Sequence, residues 1–309
     1  MILTLTVNPA IDRTITVDRL AFEDRAYIRS SKDSAGGRGI NAAHVIHSFG
    51  GDTLAIVPVG GGSGARFQEF LQIFGFPVEV VRIRKEVRTN FTITDAHGLT
   101  VKLNEAGPSL EKAELAQLEK VIRSKLEAAK WLMICGSLPP GVPPDFYARL
   151  IAAARKRNVK TLLDTDGEAL REGVAARPTV VTPNQPEAER LLNAALLTRH
   201  HFLQAAERIQ KMGAESVILS LGSRGAVGAF SGRMIEVIPP RIDVVSPIGA
   251  GDAMAAAFLW AMQKKDDYNN ALRWGVAAGT ASARLPGMRF ASVDQAKEIF
   301  EQVEVRRVE

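Results

Sequence analysis

The chain has 309 residues, of which 46% are hydrophobic and 24% charged, the proportions of an ordinary globular protein. No apolar run approaches the roughly 18 residues of a membrane span, and the opening MILTLTVNPAIDR lacks the basic n-region of a signal peptide. Cys135 is the only cysteine, which excludes an intrachain disulfide and fits a reducing cytoplasm. The net charge of +5 suits anionic ligands, but the basic residues are dispersed. Their densest cluster, Arg155 to Arg157, reads as a solvated helix end, so neither nucleic acid nor a membrane surface is an expected partner.

Taken in chain order, ILTLTV (2–7) predicts a strand and NAAHVIHSFG (41–50) a helix ending at Gly50. TLAIVPVG (53–60) is a second strand, and GARFQEFLQIFG (64–75) a second helix. WLMICG (131–136), VKTLLD (159–164), PTVVTPN (178–184) and SVILSLG (216–222) continue the strands, with DFYARLIAAARKRN (145–158) helical between the first two. Apolar strands alternating with helices of 10–15 residues predict an α/β fold, with a mostly parallel sheet covered by helices on both faces. Residues 13–31 and 88–103 break the alternation, because they read as polar-alternating strands with no crossover helix. They are predicted to form a small antiparallel sheet, a lid, projecting from a single domain spanning 1–309.

Ligands of such a sheet gather beyond the carboxyl ends of its strands. Asn8, Asp12, Cys135 to Ser137, Asp164, Asn184, Glu187, Ser220 and Gly222 all fall there. The segment SPIGAGDAMAAAFLWAM (246–262) places Gly249, Ala250 and Gly251 before an Ala-rich helix, an anion site made of free N–H groups and the helix dipole. Asp252 next to it reads either as a helix cap or as a general base for a hydroxyl attacking a bound phosphoryl group. SAGGRGIN sets Gly36, Gly37 and Gly39 before Asn41, a turn that lets backbone approach a polyhydroxylated ligand, or an ordinary glycine turn. Asn184 and Glu187 in TPNQPE could hold the waters around Mg²⁺, although their spacing equally predicts a capping box. SLGSRGAVG (220–228) offers a further bare turn, Gly222 to Gly225, joining two strands. VGGGSGARF (59–67), with Glu79 beyond it, satisfies a weak dinucleotide pattern and supports a hydride-transfer rival. His44 and His47 share a helix face but lack a third metal ligand.

GGRGIN, NEAGP, GSLPPG, PNQPE, SLGSRGA and GAGDAM, in this order across the chain, resemble the ribokinase-like (PfkB-type) carbohydrate kinases. TVNPAID and LNEAGP are further similar to the branch that phosphorylates fructose 1-phosphate, fructose 6-phosphate or tagatose 6-phosphate. The resemblance implies ATP and Mg²⁺ as cofactors and a ketohexose phosphate, fructose 1-phosphate first, as substrate. It implies Asp252 as catalytic base and Gly249, Ala250 and Gly251 as the anion hole. Asp12, Gly37 and Asn41 would contact sugar hydroxyls, while Arg88 and Ser137, helped by Arg25 and Arg38, would hold the substrate's phosphate. Asn184, Ser220, Gly222 and Gly225 would belong to the nucleotide site, and Glu187 to the Mg²⁺. The lid would double as a homodimer clasp. Three positions depart from the pattern: Thr182 stands where such kinases often carry a lysine reaching the ATP phosphates, Arg38 where lysine is usual, and Pro247–Ile248 where Thr-Thr or Thr-Val is common. A kinase of an unphosphorylated sugar or nucleoside is the near alternative, and a non-catalytic sensor on the same scaffold the distant one.

Overall fold

The structure, a computed structural model, describes residues 1–21, 23–265 and 267–308. β1 (Ile2–Thr6) leads directly into β2 (Ala10–Val17) and β3 (Ile28–Gly36), followed by α1 (Arg38–Ser48), β4 (Thr53–Gly60), α2 (Gly61–Phe74) and β5 (Val78–Ile83). A hairpin, β6 (Arg88–Thr94) and β7 (Thr100–Asn104), precedes α3 (Lys112–Lys125), β8 (Trp131–Cys135), α4 (Phe146–Arg155), β9 (Lys160–Asp164) and α5 (Gly167–Ala175). Next come β10 (Val180–Val181), α6 (Gln185–Leu192), α7 (Arg199–Met212), β11 (Ser216–Ser220), β12 (Ala226–Phe230) and β13 (Arg233–Ile238). The chain closes with α8 (Ala250–Lys264), α9 (Tyr268–Ala283), α10 (Val293–Phe300) and β14 (Glu304–Val308).

Among the described residues the main sheet has ten strands in the order β14-β13-β12-β11-β10-β9-β8-β1-β4-β5. From β5 to β11 every pairing is parallel, and β12, β13 and β14 extend that edge antiparallel. The pleat sends alternate residues to opposite faces. Leu3, Leu5, Leu132 and Ile134 join one core with Leu118, Phe146 and Ile209 from α3, α4 and α7. Ile2, Trp131 and Met133 join the other with Val45, Phe258 and Leu272 from α1, α8 and α9. Each fully buried Leu, Ile or Phe contributes about 1.5–3 kcal/mol, so both faces must stay covered. The carboxyl ends of β1, β8, β9, β10 and β11 share one edge, where the cleft lies.

The second sheet runs β3-β2-β6-β7. Its outer pairs are antiparallel, but the central pair is parallel, with Asp12 opposite Asn90. The expectation of an antiparallel lid is corrected there. β2 continues from β1 and β6 from β5, and those two strands point the same way in the main sheet, so β2 and β6 leave it side by side. The dinucleotide reading also loses its basis. A side chain at Gly60 would collide with the Ile83 and Lys85 carbonyls, and one at Gly61 with Glu86. These glycines exist for packing, and Glu79 is held by Lys125 at 2.8 Å rather than turned to a ribose.

Candidate active site

The anion turn is built as its residues require. Gly249 adopts φ +80°, and a Cβ there would press on the Phe290 ring, so only glycine fits. Gly251 is open, with nothing within 4 Å of where its Cβ would be. Ala250 N–H bonds back to Pro247, and Ala253 N–H to Gly249, while the N–H groups of Gly251 and Asp252 have no backbone acceptor among the described residues. Behind the turn, Gly275 and Gly279 of α9 let α8 approach closely enough to hold it rigid. Asp252 sits in the first turn of α8, half-buried at the foot of the cleft, and its Oδ2 accepts a 2.7 Å hydrogen bond from Asn41 Nδ2. Burial, and then the charge of Asp164, raise its pKa to about 7; the Asn41 bond and Arg38 oppose them. A carboxyl balanced near neutrality is suited to taking and returning protons.

The cleft above Asp252 encloses about 660 Å³. One wall belongs to the lid and its base. Asp12 accepts from Asn90 Nδ2 at 3.0 Å, and its pKa is raised by burial against the opposing effects of Asn90 and Arg88. Asn8 donates to Ala106 O at 3.0 Å and to Ser137 Oγ at 3.3 Å. Thr6 Oγ1, Asn8 Oδ1, Asn90 Oδ1 and Arg88 Nε are all buried and have no partner among the described residues, and all four residues line this cleft. Orphaned polar groups at such density are costly unless a ligand completes them. The Arg88 fork is partly spent: Nη1 donates to Glu105 O at 2.7 Å and Nη2 to Asn8 O at 3.0 Å. Its first task is to fasten the end of β7 to the loop after β1.

The other wall follows β9, β10 and β11. Arg38 crosses to it, reaching Asp164 Oδ1 at 3.0 Å, Asp166 Oδ2 at 3.1 Å and Glu187 Oε1 at 3.2 Å. Asp164 and Glu187 are buried, and desolvation raises both pKa values against the pull of Arg38. The capping box is real: Asn184 Oδ1 accepts from Glu187 N–H, and Glu187 Oε2 from Asn184 N–H, each at 2.9 Å. Ser220 is bridged to Asn184, its N–H bonding Pro183 O. Thr182 is buried, its hydroxyl 3.4 Å from Leu163 O.

Asp12, Gly37, Arg38, Asn41, Arg88, Ser137, Asn184, Glu187, Ser220, Gly249, Gly251 and Asp252 thus line one cleft. Ala250, Gly222, Gly225 and the exposed Arg25 are not among the residues lining it. Gly225 is buried at φ +88°, where a Cβ would strike the Val237 carbonyl, so its bareness serves the β11–β12 turn. His44 packs against Phe74 and Phe290 at 4.6 and 5.8 Å between ring centroids, and His47 lies by Phe76. Sequence reasoning missed Asn90, Thr92, Lys102 and Asn104, which alternate along β6 and β7 and so present one lid face to the cleft. That alternation was the available signal.

Five carboxylates (Asp12, Asp164, Asp166, Glu187, Asp252) face three cations (Arg38, Arg88, Lys102). No trio of His, Cys, Asp or Glu among the described residues is arranged to hold a metal directly. The donor set fits Mg²⁺ held through its waters, because the surplus charge around Asp164, Asp166 and Glu187 is carboxylate oxygen and Mg²⁺ keeps most of its hydration.

The profile of the pfkB family carbohydrate kinases matches residues 5–295. The ATP-dependent 6-phosphofructokinase isozyme 2 of Escherichia coli is 33% identical over 302 residues, 97% of each chain. The tagatose-6-phosphate kinase of Staphylococcus epidermidis is 29% identical over 311 residues, all of both chains. The solved structure of the tetrameric inhibited form of phosphofructokinase-2 from Escherichia coli superposes with a TM-score of 0.89 at 33% identity, over 97% of this chain and 98% of that one. The two-sheet architecture is therefore ribokinase-like, and the chain belongs to the pfkB family of carbohydrate kinases, as a sugar-phosphate kinase.

Proposed function

We propose that the chain transfers the terminal phosphoryl group of Mg-ATP to a free hydroxyl of a ketohexose phosphate, giving the bisphosphate and ADP, with residues 1–309 acting as one catalytic unit. One arrangement carries this reading: Asp252, directly after the Gly249–Gly251 turn with its free N–H groups, lines the same cleft as polar atoms of Thr6, Asn8 and Asn90 that have no partner among the described residues. Asp252 accepts the proton of the attacking hydroxyl as that oxygen bonds to phosphorus. The bond from phosphorus to the ADP oxygen breaks, and the turn's N–H groups stabilise the charge on the phosphoryl oxygens. The carboxylate faces the hydroxyl and the N–H groups face the phosphoryl oxygens, so the two negative charges are kept apart. Bound Mg²⁺ would neutralise the nucleotide's phosphates, with Asp164, Asp166 and Glu187 ordering its waters. Asn41 keeps Asp252 aimed, and Asp12 with Asn90 orients the sugar hydroxyls.

For the phosphate already on the sugar we assign Lys102 and Ser137, steadied by Arg88. Lys102 is exposed on the cleft face of β7, opposite Thr92, and has no ion-pair partner among the described residues. The motifs put fructose 1-phosphate first, but the name of the Escherichia coli relative moves fructose 6-phosphate ahead of it. Tyr27, Ile28, Leu99 and Leu103 are large apolar side chains exposed on and beside the lid strands. With a tetrameric relative of the same fold, they support self-association through the lid. The single, buried Cys135 suits the reducing cytoplasm, where we place the enzyme. ADP release from Mg-ATP with fructose 6-phosphate, fructose 1-phosphate, tagatose 6-phosphate, fructose and ribose tests the reading. A phosphosugar should win by at least about a hundredfold, whereas equal use of fructose and its phosphates would refute the assigned phosphate site.

A further inference from the structure

Arg38 is the first residue of α1, beside the sugar-facing glycine turn, yet its side chain does not stay on that side. The guanidinium spans the cleft to Asp164 at the end of β9, to Asp166, and to Glu187 in the first turn of α6. Among the described residues lining that wall (Ser137, Asp164, Asp166, Thr182, Asn184, Glu187, Ser220) none is basic, so Arg38 supplies its one positive charge. Three of its five N–H donors are taken by the carboxylates. The second N–H of Nη1 and the Nε N–H have no acceptor among the described residues, and the side chain is 31% exposed. The carboxylates fix the fork rather than exhaust it.

A nucleoside triphosphate meeting this wall brings more negative charge to three carboxylates, and Mg²⁺ offsets only part of it. Thr182, directly after β10 and between β9 and β11, contributes a neutral hydroxyl already directed at Leu163 O. Thr182 lines the same cleft as Arg38, Asp164 and Glu187, so a long cationic side chain at that position would share the cleft with the Arg38 guanidinium.

We propose that Arg38 is the nucleotide-phosphate cation of this enzyme, using its two remaining N–H groups on phosphate oxygens of ATP and thereby replacing a charge that position 182 does not supply. This deepens the kinase reading and rests on it. It also moves Arg38 from the sugar-phosphate side, where the family resemblance had implied it, to the nucleotide side. A guanidinium is required because one planar fork must serve three carboxylates and still present donors.

The test is isothermal titration of Mg-AMP-PNP and, separately, of fructose 6-phosphate into the wild-type chain, R38Q, R38K and R38Q/T182K, with a melting curve for each. Nucleotide affinity should fall at least about tenfold in R38Q and less in R38K, and R38Q/T182K should recover most of the loss. Fructose 6-phosphate affinity should change less than about twofold throughout. Loss of sugar-phosphate binding with nucleotide binding intact would return Arg38 to the sugar side and overturn the proposal. So would unchanged binding of both ligands with only a lowered melting temperature, or a double variant no better than R38Q. Should the uncompensated carboxylates keep R38Q from folding, R38K and R38Q/T182K decide, and nucleotide affinity in R38K equal to wild type would overturn the assignment. A wild-type chain that binds fructose 6-phosphate but no Mg-AMP-PNP would overturn the kinase reading together with this one.

Discussion

Replacing Asp252 by Asn separates catalysis from stability. The side chain keeps its shape, and an amide oxygen can still accept the hydrogen bond from Asn41. The folded chain holds the Asp252 proton until pH is about 7, against a reference of 3.8. Between those values the folded state binds more protons than the unfolded one, so this group makes the fold less stable as pH rises through that window. At about 1.4 kcal/mol per pH unit the penalty reaches roughly 4–5 kcal/mol above pH 7, and on the order of 2–4 kcal/mol once residual solvent contact is allowed for. Asp252→Asn should therefore raise the melting temperature at pH 8 by roughly 4–8 °C, at about 2 °C per kcal/mol for a chain this long. At pH 5 the gain should shrink to about two fifths of that. Turnover should meanwhile fall at least about a hundredfold at pH 8, and much less at pH 5, where Asp252 is already protonated in the wild type. Thermal melts of both proteins at pH 5 and pH 8 read the first effect, and steady-state ADP release the second. An equal gain at both pH values, or a loss at pH 8, would show that Asp252 is not the strained carboxylate described here.

If Asp252 is the base, wild-type kcat/KM should show an acid limb, falling about tenfold per pH unit below about pH 7. An unbroken plateau down to pH 5 would contradict that. Lys102→Ala should raise KM about tenfold for a phosphosugar and hardly alter the use of the unphosphorylated sugar; equal changes for both would place Lys102 outside the phosphate site. Arg88→Ala removes two bonds to backbone carbonyls, so its melting temperature should drop by several degrees, from about 2–3 kcal/mol of lost stability. An unchanged melt would deny its fastening role. Ile28→Asp with Leu103→Asp should convert an oligomer to a monomer in light scattering, and the lid would be the wrong surface if the assembly were unaffected.

The features legible in the sequence were those coded locally. The Gly249–Gly251 turn with Asp252, the Asn184–Glu187 capping box and the alternation of strands with helices each lie within a few residues of chain. What escaped depends on residues far apart in sequence. Arg38 meets partners 126 to 149 positions away, and no motif reveals which wall a flexible side chain will choose. The parallel pairing of β2 with β6 follows from two main-sheet strands pointing the same way, a property of topology rather than of either segment. Arg88 was recognisable as a cation of the lid, but the two carbonyls that occupy its fork come from Asn8 and Glu105 and appear only after the lid folds back. At Gly225 packing alone already demands a bare residue, because a Cβ there would strike the Val237 carbonyl of the neighbouring strand, a constraint invisible in the motif.

The most direct test of the account is to incubate the chain with Mg-ATP and each of fructose 6-phosphate, tagatose 6-phosphate and fructose 1-phosphate, and to follow the phosphorus nuclear magnetic resonance spectrum. The account predicts that, with at least one of them, a second sugar-phosphate signal grows in step with ADP, and that Asp252→Asn abolishes it on the same timescale. ATP converted only to ADP and free phosphate, or no conversion with any of the three, would contradict it.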